Sequence, residues 1–118
     1  MKFFHALLLA LLIVSCTVKP QLTHVVFLDL KPAANLEEVV AEIQKLKAIR
    51  EIGHLEVGTF ENLDDPRALS QFELVIVEKF ENREDYEVYQ NHEIHLALRA
   101  YLSEHLAGPP VTYDYMVD

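Results

Sequence analysis

Two runs in this chain, HVVFLDL at 24–30 and FELVIVEKF at 72–80, are rich in β-forming residues and apolar on both of their alternating faces. In the first, His24, Val26, Leu28 and Leu30 fall on one side, and Val25, Phe27 and Asp29 on the other. In the second, Phe72, Leu74, Ile76 and Phe80 alternate with Glu73, Val75, Val77 and Lys79. A strand that buries one face needs one apolar row; two apolar rows demand a cover on each side of the sheet. Helices of the same chain can supply one cover. The other calls for a packing partner, because soluble monomers seldom leave a broad apolar sheet face in water.

The intervening segments supply the helices. Asn35 caps the first, with Glu38 three residues on completing a capping-box-like pair. Leu36, Val39, Val40, Ile43 and Leu46 form its apolar stripe, and acidic Glu37 and Glu38 at the start with basic Lys45, Lys47 and Arg50 at the end match the helix dipole. Gly53 suits its stop, and residues 54–60 alternate as a strand with Gly58 at a bulge or a close approach. Asn82 opens a second helix that runs through Tyr86 and Tyr89 into YQNHEIH at 89–95. Leu96, Leu98, Leu102 and Leu106 continue its stripe until Gly108-Pro109-Pro110 end it. VTYDYMV at 111–117 is the last strand. The order β-α-β-β-α-β predicts an α+β, ferredoxin-like fold, an antiparallel sheet with its helices on one face. A second copy is the simplest cover for the other face, and two such sheets face to face make a closed-looking barrel.

The first sixteen residues, MKFFHALLLALLIVSC, read as a secretory signal: Lys2 supplies the positive start and residues 6–14 the apolar core, too short for a membrane-spanning helix. Ile13-Val14-Ser15-Cys16 resembles a bacterial lipobox, which implies a diacylglyceride on Cys16. The chain then divides into a signal at 1–15, a lipidated tether at 16–22 reaching about 20 Å when extended, and a domain at 23–118. Thr17, rather than Asp, resembles the signal that sorts Gram-negative lipoproteins to the outer membrane, on its periplasmic side. Cys16 is the single cysteine, so no intrachain disulfide forms. Nineteen acidic against ten basic side chains, a net charge of −9, argue against nucleic acid as a partner and leave the acyl chains as the membrane attachment.

The element order together with Thr23-His24-Val25-Val26-Phe27, Glu56-Val57-Gly58, and Phe80 followed by Tyr89-x-x-His92-x-x-His95 resembles the stress-responsive α/β-barrel domain family of the dimeric α/β-barrel superfamily. Tyr113-Asp114-Tyr115 looks like the family's ending. The resemblance implies a homodimer with a pocket between sheet and helices in each subunit, and in some members polyketide cyclase chemistry. In the cyclase-like pattern the histidine opening the first strand, here His24, faces the second histidine of H-x-x-H, here His95, across the pocket. Two positions depart from the family. Glu93 stands where proline is common, which predicts a more continuous helix, and Leu74 stands where the cyclase pattern has a further histidine.

On a continuous helix, three-residue steps put Tyr89, His92 and His95 in one slanting row, and His95 continues into Leu98 and Leu102 on the apolar stripe. A histidine entering a core needs a hydrogen-bond partner, from Tyr89 or the sheet. Three readings of the row are compatible with this pattern. His24, Tyr89, His92 and His95 bind a small apolar or aromatic ligand; His24, His95 and Tyr89 carry acid–base catalysis, since a neutral imidazole beside a phenol shuttles protons near neutral pH; or the row braces the core of a non-catalytic envelope interaction module. Helical metal pairs more often use a four-residue step than the three of His92 and His95, so no metal is expected. No residue selects for a cofactor. With Cys16 assigned to lipid, no cysteine nucleophile is available.

Overall fold

The computed structural model describes residues 21–117; the expected signal segment and Cys16 lie outside the described residues. The elements run β1 (Gln21–Leu28), α1 (Leu36–Gln44), β2 (His54–Thr59), β3 (Leu74–Phe80), α2 (Arg83–Asn91), α3 (Glu93–His105) and β4 (Val111–Val117). The four strands form one antiparallel sheet in the order β2-β3-β1-β4. This is the ferredoxin-like α+β arrangement, with the helices on one face.

The pleat explains how the strands serve both sides. Val26 and Leu28 of β1 and Leu74, Ile76 and Phe80 of β3 are buried under the helices, against Val39 and Ile43 of α1 and Leu98 and Leu102 of α3. Their alternates, Val25, Phe27, Val75 and Val77, lie on the other face and are only half-buried. On β4, which forms one edge, Val111, Tyr113, Tyr115 and Val117 share that face and are exposed. Gly58 allows a close approach rather than a bulge: the β2–β3 register runs through Gly58 opposite Val75 unbroken, and a Cβ there would stand 3.2 Å from Val75 Cγ1.

Several boundaries differ from the expected ones. β1 opens at Gln21 and stops at Leu28; Leu30 makes an isolated bridge to Leu106 instead. β3 starts at Leu74 rather than Phe72. The first helix tightens into a 3₁₀ turn at Lys45–Ala48, well before Gly53, whose N–H donates to the Lys79 carbonyl on the way into β2. Leu36 is exposed because it is the first residue of α1, at the end of the packed stripe. Leu96 is exposed because it falls off the face that His95, Leu98 and Leu102 share at three- and four-residue steps.

The largest difference is at His92, where the expected continuous helix is broken. His92 has extended backbone angles (φ −70°, ψ 137°), and its Nδ1 accepts the Ile94 N–H at 3.1 Å, capping α3 in the manner of an Asx side chain. Glu93 is thereby the first residue of α3. That is the position at which proline is tolerated, because its N–H has no intrahelical acceptor. A glutamate there keeps the break and adds a negative charge at the helix start.

Phe80 is fully buried and packs against the rings of Tyr86 and Tyr89 at centroid distances of 5.6 and 5.2 Å. Phe80→Ala should therefore cost about 3–5 kcal/mol in urea denaturation. Leu63→Ala, at a side chain 79% exposed, should stay within about 0.5 kcal/mol of wild type.

Candidate functional site

Register brings the site's polar groups together. His24 of β1 lies opposite Glu78 of β3 and opposite Asp114 of β4, and Glu78 lies opposite Leu55 of β2. Directly opposed residues share a face, so Leu55, Glu78, His24 and Asp114 form one row across the sheet on its helix-covered side. His24 is buried and its Nδ1–H donates to the Asp114 carboxylate, whose side chain is half-exposed at the sheet edge. In the neutral ring that bond fixes the tautomer in which Nε2 is the acceptor.

The helices lay aromatic rings over this row. Tyr86 and Tyr89 of α2 meet the His24 ring edge-on, at 5.2 and 6.2 Å between centroids. Tyr89 is buried, and the His95 ring lies 4.2 Å from it. The polar partner of His95 is neither Tyr89 nor the sheet: its Nδ1 donates to the Gln90 backbone carbonyl at 3.1 Å, across the break between α2 and α3. The helix interruption thus supplies the acceptor that a continuous helix would have kept for itself. Burial holds the His95 pKa below the usual imidazole value, outweighing the Gln90 carbonyl, and the Arg99 cation, with the rings of His24 and His92 wherever they carry charge, pushes the same way. At neutral pH His95 is accordingly a neutral base with Nε2 as its acceptor.

Tyr89 donates its hydroxyl to Glu78 Oε1 at 3.0 Å. Glu78 is fully buried, and its other oxygen, Oε2, has no hydrogen-bond partner among the described residues. Burial pushes its pKa up to about 7, with the Tyr89 hydrogen bond opposing and the Asp114 charge assisting. Burial first, then the Glu78 charge, holds the Tyr89 phenol well above its ordinary range. Tyr86 is raised by burial and by Asp114 and Glu78.

Between sheet and helices lies a cavity of about 270 Å³, floored by Val26, Leu28 and Ile76 and walled by Tyr86, Tyr89, His95, Leu98 and Leu102, with His24 and Arg99 also in its lining. His24, Tyr89 and His95 are therefore brought together in its lining, Tyr89 and His95 as their helical spacing suggested and His24 as the family resemblance implied. His92, expected among the ligand-binding residues, is outside this lining; its ring nitrogen is committed to the α3 cap. Leu74, where the cyclase pattern has a histidine, is a core residue 1% exposed. No motif or helical spacing points to Glu78; the signal it does carry is that it interrupts the inward row Leu74–Ile76–Glu78–Phe80 with a carboxyl. Among the described residues no group of three or more His, Cys, Asp or Glu is arranged to hold a metal ion.

Comparison with known proteins agrees with this architecture. The model of the Dabb family, the stress responsive A/B barrel domain, matches residues 22–117. Among curated proteins, none matches the chain in sequence. A Dabb family protein from Mesorhizobium loti superposes with a TM-score of 0.67 at 24% identity, covering 81% of this chain and 95% of its own. A dimeric ferredoxin-like protein of unknown function from Thermobifida fusca does so with 0.69 at 20% identity, covering 83% and 92%. A hydroxynitrile lyase from Passiflora edulis reaches 0.74 at 15% identity, covering 86% and 96%. At these identities the likeness is one of fold.

The raised Glu78 pKa has a consequence for folding. Folded Glu78 keeps its proton up to about pH 7, whereas the ordinary carboxyl loses it near 4.5. Its contribution is therefore full below pH 4.5 and is lost as pH rises to 7, a change on the order of 3 kcal/mol. His95, with a lowered pKa, acts in the opposite sense and is common to wild type and Glu78→Gln. The stability of wild type relative to Glu78→Gln, from urea titrations, should fall by that amount between pH 4.5 and 8; a constant difference would contradict the assignment.

Proposed function

The chain belongs to the stress responsive A/B barrel domain family, and from that premise we propose that it is a homodimeric domain, held at the cell envelope by lipid on Cys16, that binds a small, partly apolar molecule in the cavity between sheet and helices. The observation that carries this reading is the cavity itself. An apolar floor with a few convergent polar groups, His24, Tyr89 and His95, is the usual composition of a small-molecule site. Its volume of about 270 Å³ is at the small end of ligand pockets, which run roughly from 300 to 1,000 Å³, so the ligand is of single-ring size.

Dimerisation follows from the sheet's other face. Val25, Phe27, Val75 and Val77 are half-buried there and Tyr113 is 66% exposed, a contiguous apolar surface that a second copy covers through a two-fold axis. The Thermobifida fusca protein and a similar one from Bacteroides fragilis are both described as dimeric. Lipidation rests on the lipobox resemblance at 13–16, and an envelope location, the outer membrane if the cell is Gram-negative, rests on lipidation.

A second reading, an acid–base enzyme of cyclase or isomerase type, is favoured by the paired arrangement of the bases. His24 is oriented by Asp114 and His95 by Gln90, each leaving Nε2 as the acceptor. In this reading the Nε2 of one imidazole removes a proton from the bound molecule and later returns it at another atom. One structural neighbour is a hydroxynitrile lyase, so the scaffold does host enzymes.

Three measurements test these proposals. Light scattering at micromolar concentration should give a dimer, with Tyr113→Lys weakening association at least about tenfold; a monodisperse wild-type monomer would refute the dimer. A screen of single-ring compounds by NMR should perturb His24, Tyr89 and His95, and perturbations confined to other surfaces would exclude the cavity as the ligand site. Labelled fatty acid should be incorporated by cells expressing the wild type and lost with Cys16→Ser.

A further inference from the structure

Glu78 has no part in the ligand reading so far, yet it is the most deeply placed titratable group near the cavity. It is not itself in the cavity lining, whereas Tyr89 is, and its only hydrogen bond among the described residues is the one Tyr89 donates to Oε1. The carboxyl therefore sits behind the phenol and reaches the cavity only through it.

We propose that Glu78 is a specificity-determining residue that sets the polarity of the Tyr89 hydroxyl toward the bound molecule. The inference rests on the cavity being a ligand site and states which chemistry that site selects. A phenol has one proton. With a carboxylate behind it, the proton is given backward to Oε1 and Tyr89 offers the cavity only lone pairs, which accept from a hydroxyl or N–H of the ligand. With a carboxylic acid behind it, Glu78 donates from Oε1 to the phenol oxygen, and the phenol proton turns forward to a carbonyl or other acceptor oxygen. One proton taken from solvent by Glu78 separates the two states, and no covalent bond of the ligand changes.

The surroundings leave the carboxyl balanced between these states. The unpartnered Oε2 favours the acid, because a neutral carbonyl oxygen costs less to bury without a hydrogen bond than half of a carboxylate. The groups around Glu78 are Leu55 on β2, which is apolar; His24 on β1; Asp114 one strand further, which favours the acid; and, on α2, Tyr86 and Tyr89, of which Tyr89 favours the carboxylate. On α3, His95 and Arg99 act on Tyr89 rather than on Glu78 directly. Glu78 titrates at about 7 as a result, so both states are populated near neutral pH.

Two measurements on the folded, intact domain test this. Infrared difference spectra between about pH 5.5 and 8.5 should show a buried carboxylic acid losing its proton near pH 7 together with a change in a tyrosine C–O band. The carboxyl signal should vanish in Glu78→Gln and the tyrosine signal in Tyr89→Phe. Affinities for acetophenone, an acceptor, and phenol, a donor, should then diverge: their ratio should fall about three- to tenfold in wild type as pH rises, and stay constant in Glu78→Gln. The wild-type and Tyr89→Phe spectra decide the switch even if Glu78→Gln fails to fold. A carboxyl that stays ionised throughout, or a tyrosine band that does not respond, overturns the proposal. A ratio that changes equally in Glu78→Gln also overturns it. If neither probe binds while the infrared changes appear, the coupling of Glu78 to Tyr89 stands and the ligand reading fails.

Discussion

Strand β1 is hydrogen-bonded on both sides, to β3 and to β4, and its register decides what the site contains. His24 can meet Asp114 and lie beside Glu78 only because the three residues are directly opposed. A slip of one residue would turn every side chain of β1 to the other face, sending His24 away from the helices and Val25 under them. The register is held by the inward apolar row, Val26 and Leu28 against Ile76 and Leu74, so the same packing that stabilises the core also aligns the polar row. Stability and chemistry are linked through one set of strand pairings.

The helical side depends on a second local feature, the break at His92. It ends α2, starts α3 with a side-chain cap, and frees the Gln90 carbonyl to hold His95. A single uninterrupted helix would have consumed that carbonyl in its own ladder. Tyr89 and His95 thus belong to different helices that meet over His24, and the cavity lies where the two helices and the sheet converge.

The fold was legible because periodicity reports burial directly: Val39, Ile43 and Leu46 at helical spacing, and Leu74, Ile76 and Phe80 at alternate positions, are all buried. Tyr89 and His95 stand out because an imidazole and a phenol on an inward-facing row need polar partners, and His24 through the family resemblance. Their actual partners do not, since Asp114 reaches His24 across ninety residues of chain and the Gln90 carbonyl is released only by a backbone break. His92 lies outside the cavity because its ring caps α3, a role that follows from the interruption. Glu78 sits among five apolar neighbours in LVIVEKF; alternation puts it on the row of Leu74, Ile76 and Phe80, but its partner, the Tyr89 hydroxyl, comes from a helix whose placement over the strand the pattern does not give.

The central claim is that His95, as a neutral base held by the Gln90 carbonyl, and His24, held by Asp114, line a cavity that we propose accepts a small molecule. Long-range ¹H–¹⁵N NMR of the histidine side chains at neutral pH measures this most directly. The account predicts a neutral His95 with its proton on Nδ1, and His24 and His95 resonances that shift together when a single-ring compound is added. A charged His95, a proton on its Nε2, or imidazole signals indifferent to every such compound would contradict it.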